Sequence, residues 1–153
     1  MITLHLMVGL PCSGKTTYAK ELAITENALL LTPDVWHWQL YGQDFPGPYH
    51  DKRHNEIEDI MWDIAKRVLS LGVSVILDFG FWNKIERIEF RERARILNVN
   101  FKIHYMDIAK TELYTRLVKR NEQAGDKGWR IPPSYLELWY SQFEPPTSDE
   151  LFE

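Results

Sequence analysis

Short apolar runs alternate with amphipathic segments along the chain. Four runs have the length and composition of strands: Leu4–Val8, Ala28–Leu31, Val73–Leu77 and Asn100–Met106. The third run is largely apolar and β-branched, which is typical of a strand buried on both faces of a parallel sheet. Because helical patterns separate the runs, the sequence predicts an α/β fold in which helices cover both faces of a parallel sheet.

Local patterns predict helices at six places: Gly14–Ala23, Val35–Leu40, Asn55–Leu71, Lys84–Leu97, Thr111–Arg120 and Tyr135–Phe143. The pattern is clearest in the third helix, where apolar residues recur at steps of three and four. It predicts one buried face made by Ile57, Ile60, Met61, Ile64, Val68 and Leu71. Gly72 is placed to end this helix, and Pro132 and Pro133 are placed to begin the last one.

Two segments are predicted to be loops. Tyr41–Arg53 contains two glycines and two prolines, and Asn121–Arg130 is polar and contains glycine. The second loop is predicted to be a mobile lid. The chain contains no internal repeat, low-complexity tract or interdomain linker, so residues 1–153 are predicted to form a single domain.

Composition and charge narrow the function classes. The 153 residues include 18 basic and 22 acidic side chains, for a net charge of −4, which argues against a general nucleic-acid-binding surface. The single cysteine, Cys12, excludes an internal disulfide and fits a reducing compartment. No apolar run approaches the ~20 residues that span a bilayer. We therefore expect a soluble cytoplasmic protein, and the oligomeric state stays open.

A phosphate-binding loop follows the first predicted strand. Gly9–Thr16 matches the pattern G-x-x-x-x-G-K-[ST] and leads into a predicted helix. In such loops the glycines let backbone N–H groups turn inward, and the helix N-terminus adds partial positive charge. Lys15 can reach the β- and γ-phosphates, and the Thr16 hydroxyl can ligate Mg²⁺. The residues predicted to bind a nucleoside triphosphate are Gly9, Leu10, Pro11, Cys12, Ser13, Gly14, Lys15, Thr16 and Thr17.

Two aspartates follow predicted strands and are candidates for chemistry. Asp78 comes directly after Val73–Leu77, where a carboxylate beside a phosphate loop holds Mg²⁺ or its water; the alternative is a helix cap or loop residue. Asp34 follows the second predicted strand. It could orient an attacking hydroxyl and accept its proton, or it could be the N-cap of the next helix.

Two pairs of arginines lie four residues apart on predicted helices and so share a face. Arg116 and Arg120 precede the predicted lid and could stabilise charge on a transferring phosphoryl group; the alternative is a solvated basic face. Arg87 and Arg91 could contact an acceptor. The acidic residues around that second pair favour surface ion pairs instead: Glu86, Glu89 and Glu92.

The histidines and the aromatic clusters have structural interpretations as well as functional ones. His5 and His104 lie inside predicted strands and are expected to be structural. The other three histidines, His37, His50 and His54, flank the predicted 41–53 loop without metal-ligand spacing, so no zinc site is predicted. Aromatic side chains cluster in two places, as core or as a pocket wall: Trp36, Trp38, Tyr41, Phe45 and Tyr49, and then Phe79, Phe81 and Trp82.

Several segments taken together resemble one known group. GLPCSGKTT, LTPDVW, VSVILDFGFW and RLVKR look like the small P-loop kinase-like ATP-binding proteins called predicted kinases, and the terminal FEPPTSDE also resembles that group. Its relatives include polynucleotide 5′-hydroxyl kinase, chloramphenicol phosphotransferase and the zeta-toxin kinases. The resemblance covers nearly the whole chain. It implies a P-loop NTPase fold of three layers with strand order 2-3-1-4, sometimes with a fifth strand. For this chain we expect little or no fifth strand.

The resemblance also implies cofactors and roles. It implies ATP as the nucleotide, Asp34 as the base that activates a hydroxyl, and Arg116 and Arg120 as arginines that pack on adenine and phosphates. One position departs from the pattern, because polynucleotide kinases carry an arginine where this chain has His37. That departure and the acidic net charge argue against a nucleic-acid acceptor. The bulky Trp36, Trp38 and Tyr41 favour a small, partly apolar acceptor instead.

Three functions are therefore carried forward. The first is a P-loop kinase that transfers the γ-phosphate of ATP to a hydroxyl of a small molecule, with Asp34, Lys15 and Arg120 as catalytic residues and Mg²⁺ held at Thr16 and Asp78. The second is an ATP-binding switch that acts through a protein partner. The third is a nucleic-acid 5′-hydroxyl kinase, which would bind oligonucleotides in a salt-dependent way.

Overall fold

Four parallel strands form one sheet. The computed structural model describes residues 1–123 and 128–151. The strands are β1 Thr3–Val8, β2 Leu29–Leu31, β3 Val75–Gly80 and β4 Asn100–Tyr105. They are hydrogen-bonded in the order β2-β3-β1-β4, and every pairing is parallel. The predicted fold class and strand order are confirmed.

Seven helices occur in the described residues: α1 Lys15–Glu26, α2 Pro33–Tyr41, α3 His50–Ser70, α4 Lys84–Ile96, α5 Lys110–Gln123, α6 Pro133–Gln142 and α7 Ser148–Leu151. The first six were predicted, and the short α7 was not. Within the described residues, none of these helices is both long and apolar enough to cross a membrane.

Helix α3 begins five residues earlier than predicted, at His50 rather than Asn55. The prolines of the preceding segment, Pro46 and Pro48, lie before the helix, where a missing N–H does not interrupt its hydrogen bonds. The polar residues after them looked like loop, yet they form the first helical turn. The predicted loop 41–53 is therefore shorter, and two histidines that it contained or bordered lie on one helix.

The helices lie in layers on both sides of the sheet. Because successive strand residues face opposite sides, Leu4 and Leu6 of β1 pack with helices α3 and α4, whereas Met7 packs on α1. A separate apolar cluster joins α5 and α6 to Leu10 of the phosphate loop. The central strands are buried on both faces, as predicted.

The buried face of α3 differs in part from the predicted one. Its buried residues recur at steps of four: Ile57, Met61, Ala65 and Leu69. Ile60 is 54% exposed and Leu71 is 62% exposed, so the prediction was wrong for both. Both residues were predicted to be buried because they are apolar. The helical period instead places the smaller Ala65 against the sheet.

Strand order decides which loops meet. β1 lies between β3 and β4, and β2 lies beside β3. The carboxyl ends of parallel strands share one edge of the sheet. That edge therefore brings together the phosphate loop after β1, the segment Thr32–Asp34 after β2, and Asp78 near the end of β3.

A buried ion pair attaches α7 to α4. Arg87 Nε donates to Glu150 Oε1 at 2.8 Å, and Arg87 Nη1 donates to the Phe81 carbonyl at 2.8 Å. Arg87 is 1% exposed and Glu150 is 5% exposed. The predicted surface ion pair is therefore wrong for Arg87, because its partner lies 63 residues away in the chain and covers it. Burial raises the pKa of Glu150, but hydrogen bonds from Arg87 and Thr147 outweigh that effect and lower it.

Replacing Glu150 tests this pair. In Glu150→Ala, the Arg87 charge stays buried without its carboxylate, so the free energy of unfolding should fall by about 3–5 kcal/mol. Urea denaturation at neutral pH measures the change. The exposed Arg95–Glu92 pair on α4 supplies the control, and Glu92→Ala should leave stability almost unchanged. A loss below about 1 kcal/mol in Glu150→Ala would show that α7 contributes little.

Candidate active site

The phosphate loop closes tightly between β1 and α1. The N–H of Gly9 donates to the Gly80 carbonyl at 3.0 Å, and the N–H of Ser13 donates to the Leu10 carbonyl at 3.2 Å. A Cβ at Gly9 would lie 2.7 Å from Ser13 Oγ, so a larger residue would force the buried Ser13 side chain to move. Gly14 has φ +88° and caps α1 without a side-chain hydrogen bond, which leaves first-turn N–H groups available to an anion.

Asp78 contacts three polar side chains next to this loop. Its Oδ2 accepts hydrogen bonds from Thr16 Oγ1 at 2.7 Å and from Thr32 Oγ1 at 3.1 Å. Lys15 Nζ lies 3.6 Å from Oδ1. The side chain is buried, and Oδ1 has no hydrogen-bond partner among the described residues. β3 runs on to Gly80, so Asp78 lies inside the strand rather than after it as predicted.

A Mg²⁺ ion fits the chemistry of this position. The Thr16 hydroxyl and the Asp78 carboxylate offer oxygen atoms, which are the ligands that Mg²⁺ prefers. The buried Asp78 Oδ1 lacks a hydrogen bond in the described part of the chain, so it is available to a cation or to the water of one. These are the two residues that the sequence predicted as the metal site.

Two cavities meet at this edge of the sheet. The first, of about 590 Å³, lies over the phosphate loop and α2. The second, of about 690 Å³, lies between α3, the end of β3 and α6. Both cavities are bordered by Pro11, Lys15, Asp34, Arg120 and Trp129. We call them the phosphate cavity and, in anticipation of its proposed role, the acceptor cavity.

The predicted nucleotide-binding residues divide into two groups. Those that border the phosphate cavity are Pro11, Cys12, Gly14, Lys15, Thr16, Thr17, Arg116 and Arg120. Gly9, Leu10 and Ser13 do not border it. Leu10 is buried against α5 and α6, and Ser13 is buried within the loop. These three residues shape the loop from inside.

Asp34 lies in the first turn of α2, on the border between the cavities. Thr32 is the N-cap of this helix, so the alternative interpretation of Asp34 as the N-cap is wrong. The Asp34 side chain is 50% exposed, and its Oδ1 lies 3.8 Å from His54 Nε2. A carboxylate that faces both cavities can contact a group bound in either one.

Arg116 and Arg120 reach the phosphate loop from α5. Arg116 Nη1 donates to the Cys12 carbonyl at 3.2 Å, and Arg116 Nε donates to Glu112 at 3.0 Å. Arg120 Nη1 lies 3.9 Å from Cys12 Sγ. The alternative of a wholly solvated basic face does not describe this pair, because both guanidinium groups contact the loop.

Part of the predicted lid lies outside the described residues. Residues 121–123 belong to α5, and 124–127 are not described. After them, Trp129 is buried, and its Nε1 donates to the Gly42 carbonyl at 2.9 Å. Asn121 and Ile131 exchange two hydrogen bonds of 2.8 and 3.0 Å. The mobility of 121–130 stays a prediction, and Trp129 is a site residue that the polar loop pattern concealed.

Glu58 was also missed by the sequence analysis. It lies on α3 one turn after His54 and borders the acceptor cavity. Burial raises its pKa to about 8, with smaller contributions from the negative charges of Glu86 and Asp34. At neutral pH Glu58 is therefore mostly protonated and can donate a hydrogen bond. Its spacing of four residues from His54 was a usable signal. The prediction for α3 considered only its apolar face, however, and Glu58 does not lie on that face.

The aromatic residues serve as core in some cases and as wall in others. Trp36 and Phe79 pack against the main core, and Arg53 lies over the ring of Tyr41, 4.2 Å from its centroid. The acceptor cavity has an aromatic wall made by Phe45, Phe81, Trp82, Tyr135 and Trp139. Trp82 Nε1 also donates to the Gly9 carbonyl at 3.2 Å. The wall therefore joins the phosphate loop directly.

Comparison with known proteins agrees with the fold. A family model described as an AAA domain, AAA_33, matches residues 4–146. No curated protein matches the sequence significantly. A protein from Chloroflexus aurantiacus, provisionally described as a kinase, is 20% identical with a TM-score of 0.77; the match covers 95% of this chain and 78% of the other.

Two further solved structures are similar. A component of the Pnkp1/Rnl/Hen1 RNA repair complex is 25% identical with a TM-score of 0.75; the match covers 92% of this chain but only 43% of that component. A sugar kinase from Janibacter sp. HTCC2649 is 20% identical with a TM-score of 0.68, over 99% of this chain and 82% of the other. Identities of 20% show the shared fold alone.

These matches confirm the resemblance drawn from the phosphate loop and the segments after β2 and β3. The fold, the loop and the family model all lead to one conclusion: the chain belongs to the AAA domain family AAA_33 and forms a kinase-like P-loop domain.

Proposed function

We propose that the protein transfers the γ-phosphate of ATP to a hydroxyl group of a small molecule. The observation that carries the proposal is the meeting of two cavities at Lys15 and Asp34. A phosphate loop borders one cavity, and an aromatic and carboxyl-lined wall borders the other. Direct transfer between two substrates requires adjoining sites, with the reacting groups at their border.

The phosphate cavity supplies the groups that hold a triphosphate. First-turn N–H groups of α1 and the Lys15 ammonium bind the phosphates. Mg²⁺, when bound at Thr16 and Asp78, would neutralise charge on the phosphate oxygens. Arg116 and Arg120 approach the loop from the opposite side and can stabilise charge on the phosphoryl group.

Asp34 is proposed as the catalytic base. The acceptor oxygen attacks the γ-phosphorus, a new P–O bond forms, and the bond to the oxygen that bridges the β- and γ-phosphates breaks. ADP leaves with that oxygen, and the proton of the acceptor hydroxyl passes to an Asp34 carboxylate oxygen. The position of Asp34 on the border between the cavities supports this role.

The walls of the acceptor cavity favour an uncharged or cationic acceptor. Five carboxyl side chains border it: Asp34, Asp51, Glu58, Asp78 and Glu86. Lys15 and Arg120 lie on the side shared with the phosphate cavity. A phosphate group on the acceptor would be repelled by the ionised carboxylates among these five. A hydroxyl could instead accept a hydrogen bond from protonated Glu58, and an apolar part of the acceptor could pack on the aromatic wall.

A nucleic-acid 5′-hydroxyl kinase is the second candidate, favoured by the likeness to a component of an RNA repair complex. Against it, the position where polynucleotide kinases carry an arginine holds His37. The ring of His37 is fully buried and bonded to Asp44, so it offers nothing to an acceptor phosphate. A screen of polyols, amino-sugar antibiotics and oligonucleotides for stimulated ADP release, with Lys15→Ala as the blank, separates the candidates.

Nucleotide binding can be tested without knowing the acceptor. In Lys15→Ala the phosphates lose a charged hydrogen bond worth about 1.5–3 kcal/mol, so affinity for Mg–ATP should fall by roughly 10- to 150-fold. Isothermal calorimetry measures this change. Lys20→Ala, an exposed lysine on the same helix, should bind like the unchanged protein. Equal affinity in Lys15→Ala, or no heat from the unchanged protein, would remove the basis of the kinase proposal.

Asp34→Asn separates chemistry from binding. The amide keeps the shape of the side chain but cannot take the proton, so transfer should fall by roughly 10²- to 10⁴-fold. ATP affinity should stay within about twofold, since Asp34 is not proposed to hold phosphates. Initial rates with an acceptor from the screen, together with calorimetry, measure both. Asp63→Asn, on the exposed face of α3, is the matched control.

The outcome also distinguishes the kinase from the switch hypothesis. A switch that hydrolyses ATP slowly would keep its hydrolysis rate in Asp34→Asn and show no stimulation by any hydroxyl compound. If transfer is observed but Asp34→Asn keeps full rate, another group accepts the proton and the assignment of Asp34 is wrong.

Glu58 makes stability depend on pH. Because the folded-state pKa of about 8 lies above the usual value of 4.5, the carboxyl favours folding when protonated, and that contribution is lost as pH rises from about 5 towards 8. Glu58→Gln should therefore be more stable than the unchanged protein at pH 8.5, by at least about 1 kcal/mol, and similar to it near pH 4.5. Urea denaturation at both pH values measures this. Glu56→Gln, an exposed residue of α3, should show no such difference.

A further inference from the structure

Three histidines form a cluster beside the acceptor cavity, which His50 and His54 border. His50 and His54 are one helical turn apart on α3, and His37 lies opposite them on α2. One ligand nitrogen from each ring lies within 4.8 Å of the others. No metal-ligand spacing was predicted here, because His50 was expected to lie in a loop. With α3 beginning at His50, two histidines four residues apart share one face, as in helical metal sites.

Asp44 orients two of the three rings. Its Oδ2 lies 2.7 Å from His37 Nε2, and its Oδ1 lies 2.7 Å from His50 Nδ1. A carboxylate accepts hydrogen bonds, so each of these nitrogens carries its proton towards Asp44. In a neutral ring the other nitrogen then keeps its lone pair, which leaves His37 Nδ1 and His50 Nε2 as ligand atoms. A carboxylate behind ligating histidines is the usual outer support of a protein metal site.

The third ring meets the first at a distance that suits a shared metal ion. His37 Nδ1 and His54 Nδ1 lie 3.0 Å apart. Two nitrogens bound to one ion at about 2.0–2.1 Å are separated by roughly 2.9–3.4 Å, depending on the angle at the metal. The rings of His37 and His50 are stacked with centroids 4.2 Å apart, and those of His37 and His54 are tilted with centroids 5.3 Å apart, so the three rings are neighbours.

We propose that His37, His50 and His54 bind a divalent transition-metal ion of the Zn²⁺ class, with Asp44 as the supporting carboxylate. Imidazole nitrogens favour such ions, whereas Mg²⁺ prefers oxygen. The site uses no residue of the phosphate loop. It is therefore separate from the Mg²⁺ position at Thr16 and Asp78 and does not depend on the proposed kinase activity.

A metal here would connect two helices and the segment between them. His37 belongs to α2, Asp44 to the α2–α3 connection, and His50 and His54 to α3. When His54 binds the metal through Nδ1, its Nε2 carries a proton and faces Asp34 Oδ1 at 3.8 Å and Glu58 Oε2 at 3.9 Å. The ion would thereby fix both the helices and the orientation of a ring beside the proposed base.

Metal titration tests the proposal directly. Nucleotide-free protein in excess Mg²⁺, which occupies oxygen sites, is titrated with Co²⁺ and followed by visible absorption; Zn²⁺ then displaces Co²⁺ in competition. We expect one equivalent to bind. His50→Gln and His54→Gln, at partly exposed positions, should each remove that binding or weaken it by at least about tenfold, and Asp44→Asn should weaken it by roughly 10- to 100-fold.

The buried pair His5 and His104 gives a matched control. Their ring nitrogens are also hydrogen-bonded, at 2.9 Å, but border neither cavity. His104→Gln should titrate like the unchanged protein. Thermal unfolding in a chelator shows that each variant folds, and Zn²⁺ should raise the melting temperature of the unchanged protein but not of His54→Gln.

Three results would overturn the proposal. The first is the absence of saturable binding, which would leave the cluster a hydrogen-bonded network only. The second is equal binding by His54→Gln. The third is binding that survives in His54→Gln but disappears in Cys12→Ser, which would place the ion at the phosphate loop. None of these results bears on ATP binding, so failure here leaves the kinase proposal standing.

Discussion

The buried carboxylate of Asp78 is the constraint on which the site depends. It holds the Thr16 hydroxyl, the Thr32 hydroxyl and the Lys15 ammonium within 3.6 Å of its oxygens. Thr16 and Lys15 lie in the first turn of α1, Thr32 directly follows β2, and Asp78 itself belongs to β3. A buried charge is costly unless it is paired, so the three segments must stay together at this edge. Strand order places them there, and the carboxylate fixes their distance.

This constraint is consistent with the proposal that two substrates meet at this edge of the sheet. Asp78 contacts the end of the phosphate loop at Lys15 and Thr16, and Arg116 and Arg120 contact the loop at Cys12. Asp34 follows Thr32 by two residues, so the segment that Asp78 fixes also carries the proposed base. The acceptor cavity, in contrast, is enclosed by elements distant in sequence, including α3, α6 and Trp129. The phosphate cavity is therefore formed largely by a local sequence motif, whereas the acceptor cavity is formed by tertiary packing.

That division matches what the sequence could predict. The phosphate loop, Asp34, Asp78 and the arginines of α5 could be named as candidates because their signals are local: a short motif, a strand end or a helical spacing. Strand order came from the resemblance. Glu58 was missed because its raised pKa depends on burial and on the charges of Glu86 and Asp34. Arg87 was misjudged because Glu150 lies 63 residues away.

Helix boundaries had the largest chemical consequence. An error of five residues at the start of α3 separated His50 from His54 and hid their shared face. Pro46 and Pro48 predicted a loop correctly, but nothing in the polar residues that follow tells where the first helical turn begins. Trp129 was concealed in the same way, because a polar segment around it suggested exposure. Its indole instead donates to Gly42 and borders both cavities.

The buried stripe of α3 has a consequence for how acceptor selectivity could change. Four buried residues pack the helix against the sheet: Ile57, Met61, Ala65 and Leu69. Glu58 and His54 belong to the same helix. Moving this helix to fit a bulkier or smaller acceptor would break its packing in the core. Adaptation to a new compound would instead fall on side chains outside it, such as Phe45 and Trp82. Relatives with different acceptors should then differ there while keeping the helix in place.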